Sequence, residues 1–324
     1  MQSIYALVDK QFSTVNQLIL NELHSHIDLV EDISQYLITS GGKRIRPLVT
    51  LLVAAALGDT ENAKQAKLAT AIEFLHTATL LHDDVVDMSS LRRGKPTANA
   101  NWGNASSVLV GDFVYSRAFQ LMVAVGNLSV MEVLSDTTVK IAEGEVQQLS
   151  EIGNIDLNET AYFEVIERKT AQLFAGACEA AAIVAGAKPE ISSHMRAFGK
   201  SLGLAFQLID DFLDYAGDPA QLGKNVGDDL AEGKLTLPLI QALKISAEQG
   251  SAHYQELKNI IINKDLNRIS SVVSIVQATG AMQYTRDRAL ENIVLANESL
   301  SKLPASPYTT ALAELGEYVL ARAN

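Results

Sequence analysis

Two short acidic runs are the residues best placed to do chemistry. Asp83-Asp84-Val85-Val86-Asp87 and Asp210-Asp211-Phe212-Leu213-Asp214 share one spacing, D-D-x-x-D. At about 100° per residue, the first and last aspartates of each run lie about 40° apart on a helix, with the second toward the flank. Each run therefore crowds three carboxylates at one end of an otherwise apolar helical segment. One such run alone is compatible with a solvated helix end, because charged residues are normally exposed. Here both runs follow hydrophobic stretches, and acidic groups near a helix C-terminus oppose the helix dipole. A compensating cation answers both costs. The ligands on offer are hard oxygens, which suits Mg²⁺ held by a few carboxylates, water and substrate phosphate. Two triads bring a charge of about −6; about three divalent ions offset it and leave a site able to accept an anionic diphosphate.

Basic residues stand beside these carboxylates. Lys43, Arg44 and Arg46 follow a double glycine, Arg92, Arg93 and Lys95 follow the first triad closely, and Lys169, Lys224 and Lys234 lie farther along. In a chain of net charge −12, with 38 acidic and 26 basic residues, such clusters read as diphosphate grips. Arg supplies planar forks for phosphate oxygens and Lys supplies point charges. Surface ion pairing is the competing reading for any one of them. Arg44 is expected to point away from Lys43 and Arg46. His76 falls on nearly the same helical face as Asp83, and Gln207 is placed to orient a substrate or a metal-bound water. Structural hydrogen bonding is the plain alternative for both.

The elements that must position these residues are helices. Hydrophobic residues make up 48% of the chain, aromatics only 6%, and there are seven prolines in 324 residues, a balance that favours helix over sheet. Apolar periodicity predicts helices over about 13–38, from Pro47 to Gly58, and over 62–88, 105–125, 129–150, 159–186 and 190–216. Further helices are predicted at 235–248, 254–263, 267–278, 281–302 and 307–322, with loops at 89–104, 151–158 and 217–234. No repeat or linker divides the chain, so a single domain over 1–324 is expected. The acidity argues against a nucleic-acid surface. The lone cysteine, Cys178, allows no internal disulfide and no cysteine metal site, and reads as a small buried helix residue. The N-terminus lacks a basic start followed by an apolar run, and no uninterrupted apolar stretch reaches about 18 residues. The expectation is a cytoplasmic protein without a spanning segment, with transient membrane contact left open.

Taken in order, the motifs resemble the trans-polyprenyl diphosphate synthase family over nearly the whole chain. They are GGKRIRP at 41–47, LLHDDVVD at 80–87, LRRGKPT at 91–97, GDFVYSRAF at 111–119, KTAQLF at 169–174, FQLIDDFLDY at 206–215 and GKNVGDDLAEGKLTLP at 223–238. Within the family, the similarity is greatest to bacterial octaprenyl synthases that make quinone side chains. The resemblance implies an all-α antiparallel helix bundle around a deep central cavity, usually as a homodimer. It implies that Asp83, Asp84 and Asp87 bind magnesium holding an allylic diphosphate, with Asp210, Asp211 and Asp214 across the cavity. Arg92, Lys169, Lys224 and Lys234 match positions that grip that diphosphate. Lys43, Arg46, His76 and Arg93 match positions that bind isopentenyl diphosphate, and Thr170 and Gln207 match further substrate contacts.

The chemistry expected is electrostatic. Cations stabilise the departing diphosphate, the allylic C–O bond ionises, the isopentenyl double bond attacks, and a proton is lost to the released diphosphate. The growing chain needs depth, and small residues below the first triad, Ala78 and Thr79, allow it. Phe119, Met122 and Leu134 are candidates for the floor, with ordinary core packing as the alternative. The expected product has about eight isoprene units, made from a farnesyl primer, within the bound that cavity volume sets. A terpene cyclase would normally carry a mixed Asn/Ser/Glu motif in place of the second triad. A non-catalytic subunit would tend to lose aspartates or basic grips, and neither loss is found here.

Overall fold

The computed structural model describes every residue except Ser40, Arg93, residues 217–226 and Asn324. The all-α expectation holds. The helices are α1 (Gln2–Ala6), α2 (Asp9–Glu22), α3 (Asp28–Thr39), α4 (Ile45–Ala56), α5 (Ala63–Val86), α6 (Ala98–Trp102), α7 (Asn104–Val125), α8 (Leu128–Ser150) and α9 (Glu159–Ile166). After a π-turn at Glu167–Ala171 come α10 (Gln172–Val184), α11 (Pro189–Ala216), α12 (Asp228–Glu232), α13 (Leu237–Glu248), α14 (Ala252–Asn263), α15 (Ile269–Ala278), α16 (Ala281–Leu300) and α17 (Pro307–Ala321). Among the described residues, strand occurs only in an antiparallel ribbon of β1 (Leu91–Arg92) and β2 (Lys95–Pro96).

The predicted helix over 13–38 is two helices. Glu31 Oε2 accepts the Ser25 N–H at 2.9 Å, and Ser25 Oγ accepts the Ile27 N–H. These side chains satisfy the backbone locally and stop α2. The predicted loop 89–104 holds the ribbon and α6, and α12 lies within the predicted loop 217–234. Gly227 and Gly233, at φ 85° and 83°, bracket α12 in the left-handed region that suits glycine.

By its internal contacts the chain forms two compact units. The first comprises Met1–Thr138, Leu173–Gly199 and Asn297–Leu315. Its centre is α5, which starts on an Asn62 side-chain cap and packs chiefly on α7, then on α4 and α2. Leu68, Ile72, Leu75, Ala78 and Leu81 of α5 are buried, as is Cys178 on α10. Each large aliphatic side chain so buried contributes about 1.5–3 kcal/mol. By length and composition α7 could cross a membrane, although Asp112 and Arg117 interrupt its apolar run. It ends at Gly126, φ 69°. The second unit comprises Val139–Gln172, Lys200–Ala296 and Gly316–Asn324. There α13 packs on α9, α14 and α15.

Candidate active site

In the first unit, the last turns of α5 present Asp83 and Asp87 half-buried, while Asp84 is 4% exposed. Arg92, carried by β1, donates through Nε and Nη2 to Asp84 Oδ1 at 2.9 and 2.7 Å. Side chains beyond the ribbon fold the chain back onto the end of α5. Thr97 donates to the Ser89 carbonyl at 2.8 Å, and Asn99 donates to the carbonyls of Asp84 and Ser89, each at 3.1 Å. Asp84, Arg92 and His76 line one pocket of about 90 Å³, together with Arg44, Glu73 and Thr77.

The segment before α4 and the first turn of α4 carry the other cations. Arg44 has φ 45°, a left-handed conformation that is uncommon for a residue with a Cβ. It donates to Asn16 of α2, while the Tyr5 hydroxyl donates to the Lys43 carbonyl, so α1 and α2 hold this turn. Lys43 is exposed, and the Arg46 guanidinium lies 4.5 Å from the centre of the Phe174 ring. Of the predicted floor residues, Met122 and Leu134 are fully buried, as is Ala78 above them in sequence. Phe119 is half-buried against Tyr115 at 5.2 Å, and Thr79 donates to the His76 carbonyl at 2.8 Å.

The second unit builds its site around the π-turn. A π-turn widens a helix by one residue and is commonest at functional positions. This one carries Lys169 and Thr170. Gly144 of α8 makes room for it: a Cβ there would lie 2.7 Å from the Lys169 amide nitrogen and 2.8 Å from Arg168 Cβ. Lys169 Nζ then reaches Glu145 at 2.6 Å and Gln148 at 2.8 Å, both on α8. Thr170 donates to Gln207 Oε1 at 2.8 Å, and Gln207 donates to Asp211 Oδ1 at 2.7 Å. The Tyr162 hydroxyl of α9 donates to Asp211 Oδ2 at 2.5 Å. Asp210 pairs with Arg322 at 2.8 Å, Asp214 is buried, and Lys234 pairs with Glu232 at 2.7 Å. Arg93 and Lys224 lie outside the described residues.

Burial is the main force on Asp211 and pushes its carboxyl group up to about 8; the charges of Asp229 and Asp210 push the same way, against the donors Tyr162 and Gln207. This is a concentration of negative charge in a dry place, and its donors are hard oxygens, a set that fits a divalent cation. Among the described residues no three His, Cys, Asp or Glu side chains converge into a ready-made cage.

The residues themselves singled out Lys169, Gln207 and Asp211 and the family resemblance added Thr170, and the fold does bring these four together. Both missed Tyr162, Gly144, Glu145, Gln148 and Arg322. A glycine inside a strongly helical stretch was the one available signal for Gly144.

A family model for polyprenyl synthetase matches residues 27–278. The chain belongs to that family. This synthase is accordingly a transferase that elongates prenyl chains in trans. It is 45% identical over 324 residues to the octaprenyl diphosphate synthase of Escherichia coli strain K12, covering 99% of each chain. It is 46% identical over 321 residues to the geranyl-diphosphate-specific all-trans-nonaprenyl-diphosphate synthase of Rhodobacter capsulatus, covering 99% of this chain and 98% of the other. Its fold matches a polyprenyl synthase from Caulobacter crescentus CB15, complexed with calcium and isoprenyl diphosphate, at a TM-score of 0.95 and 41% identity, covering 100% of this chain and 98% of that one.

Proposed function

We propose that this synthase extends farnesyl diphosphate with isopentenyl diphosphate to octaprenyl diphosphate, the precursor of a quinone side chain, in the cytoplasm. The observation that carries the site assignment is the network of the second unit. There the second triad, Lys169, Thr170 and Gln207 are joined by direct hydrogen bonds or share one turn of helix. Asp83, Asp84, Asp87, Asp210, Asp211 and Asp214 would hold Mg²⁺, about three ions, which when bound neutralise the diphosphate and ease its departure. Arg92, Lys169, Lys224 and Lys234 hold the allylic diphosphate and oppose the charge that grows on its leaving oxygen. Lys43, Arg46, His76 and Arg93 orient isopentenyl diphosphate, so that its double bond meets the allylic carbon. Thr170 and Gln207 touch the allylic substrate. The proton released at the end passes to the freed diphosphate.

The reading of one synthase domain over 1–324 is supported by the sequence order of the two units, each assembled from separate segments. A homodimer is the arrangement that the family resemblance implies. The test of function is incubation with Mg²⁺, labelled isopentenyl diphosphate and farnesyl diphosphate, with the product separated by chromatography. Octaprenyl diphosphate is expected. Another length overturns the product assignment, and no elongation overturns the whole reading. Light scattering on the same preparation reads the dimer.

A further inference from the structure

Tyr162 is buried, at 3% exposure, and a phenol in that setting needs its oxygen satisfied. The hydroxyl has one proton to give and two lone pairs. It gives its proton to Asp211 Oδ2 at 2.5 Å. Gln207 holds the other carboxylate oxygen at 2.7 Å. Asp211 is thus fixed on both oxygens, one from its own helix and one from α9.

We propose that Tyr162 is a positioning residue: its hydroxyl aims the Asp211 carboxylate for a divalent cation. The inference rests on reading the second triad as a metal site. Carboxylates that ligate metals are themselves hydrogen-bonded, and losing such a partner typically weakens metal binding or activity about 10–100-fold. A tyrosine with a merely structural role would change stability and leave metal affinity alone. Tyr284 supplies the control, since its hydroxyl also donates to a carboxylate of the second unit, Glu159, at 2.8 and 2.9 Å.

The test is Tyr162→Phe in the full chain, which keeps the ring and removes one oxygen. Mn²⁺ binding is followed by electron paramagnetic resonance in the presence of inorganic diphosphate, beside the wild type and Tyr284→Phe. Tyr162→Phe should bind Mn²⁺ about tenfold or more weakly, and Tyr284→Phe as the wild type does. In elongation assays the half-saturating Mg²⁺ should rise by a similar factor, with the KM for isopentenyl diphosphate held within about twofold. Wild-type Mn²⁺ affinity in Tyr162→Phe overturns the inference, and so does an equal loss in Tyr284→Phe. If Tyr162→Phe does not fold, 3-fluorotyrosine at position 162 carries the same test. It keeps the ring and the hydroxyl and makes the phenol a stronger donor to Asp211. A changed Mn²⁺ affinity is then expected, and wild-type affinity overturns the inference. If the wild type binds no Mn²⁺ with diphosphate, the metal reading of the triad falls instead.

Discussion

Asp84 and Asp211 are the second aspartates of two motifs with identical spacing, and both are nearly sealed from water, at 4% and 3% exposure. Their surroundings differ in kind. Asp84 takes a full positive charge from Arg92 through two donors on one oxygen. Asp211 takes neutral donors, Tyr162 and Gln207, and faces the further negative charges of Asp229 and Asp210. The chain after each motif explains the contrast. The first triad is followed by a basic ribbon and the second by Asp228 and Asp229. The cation of the first triad thus sits on its second aspartate, while that of the second, Arg322, sits on Asp210 and leaves Asp211 with a deficit of positive charge. The motif alone does not set the electrostatics; the segments that meet it do.

The sharpest way to break this contrast is to remove the outer aspartates. Asp83→Ala and Asp210→Ala should each lower kcat by about 10²–10³-fold, the usual loss for a group that stabilises transition-state charge. Steady-state elongation with labelled isopentenyl diphosphate measures it. If either variant keeps more than about a tenth of the wild-type rate, that triad is not part of the catalytic machinery. Next in size is Arg92→Ala, which strands the buried Asp84 charge. Breaking a buried pair costs about 3–5 kcal/mol. Because Arg92 is about a third exposed, a loss of about 2–4 kcal/mol is expected in urea denaturation. A loss below about 1 kcal/mol would mean that Asp84 finds its compensation elsewhere.

The contrast also shows what could be read in the residues. Helix periods placed α5, α7, α8 and α11 to within a few residues, because each is long and strongly patterned. The break at His24-Ser25-His26 was not legible, since it depends on Glu31 reaching back to the Ser25 amide. The π-turn was not legible either: its extra residue is accommodated by Gly144, more than twenty positions away. The triads, Lys169 and Gln207 were visible because their chemistry is unusual for their setting, and Thr170 only through the family resemblance. Tyr162 was not, because a tyrosine on an apolar helix face looks like core until its hydroxyl is seen on Asp211.

A third prediction separates rate from product length. Ala78 is fully buried on α5, eight residues before the C-terminal end of that helix. Ala78→Tyr should shorten the product, seen as a shift of the chromatographic distribution to fewer isoprene units. Gln207→Leu should lower kcat by about tenfold, through the lost partners of Thr170 and Asp211, and leave the distribution unchanged. An unchanged product from Ala78→Tyr would remove α5 as the ruler, and a shifted one from Gln207→Leu would move part of the ruler to α11.

A pH series tests the charge deficit itself. The Asp211 carboxyl is raised from an ordinary 3.8 to about 8, so the folded chain favours its protonated form. That contribution to stability is full below about pH 4 and is lost as the pH climbs through about 8. Asp211→Asn stays neutral throughout and lacks this slope. It also loses something, because its amide offers the Tyr162 hydroxyl a donor where the carboxylate offered an acceptor. The readout is therefore the slope and not the absolute stability. Melting temperatures in chelator from pH 5 to 8 should show the wild type falling relative to Asp211→Asn as the pH rises. Added Mg²⁺ with inorganic diphosphate should reverse the trend for the wild type alone, because a cation on the ionised carboxylate turns its desolvation cost into a binding interaction. Parallel slopes in chelator would place the ionised Asp211 carboxylate in surroundings as compensated as those of Asp84, and the contrast between the two triads would be lost.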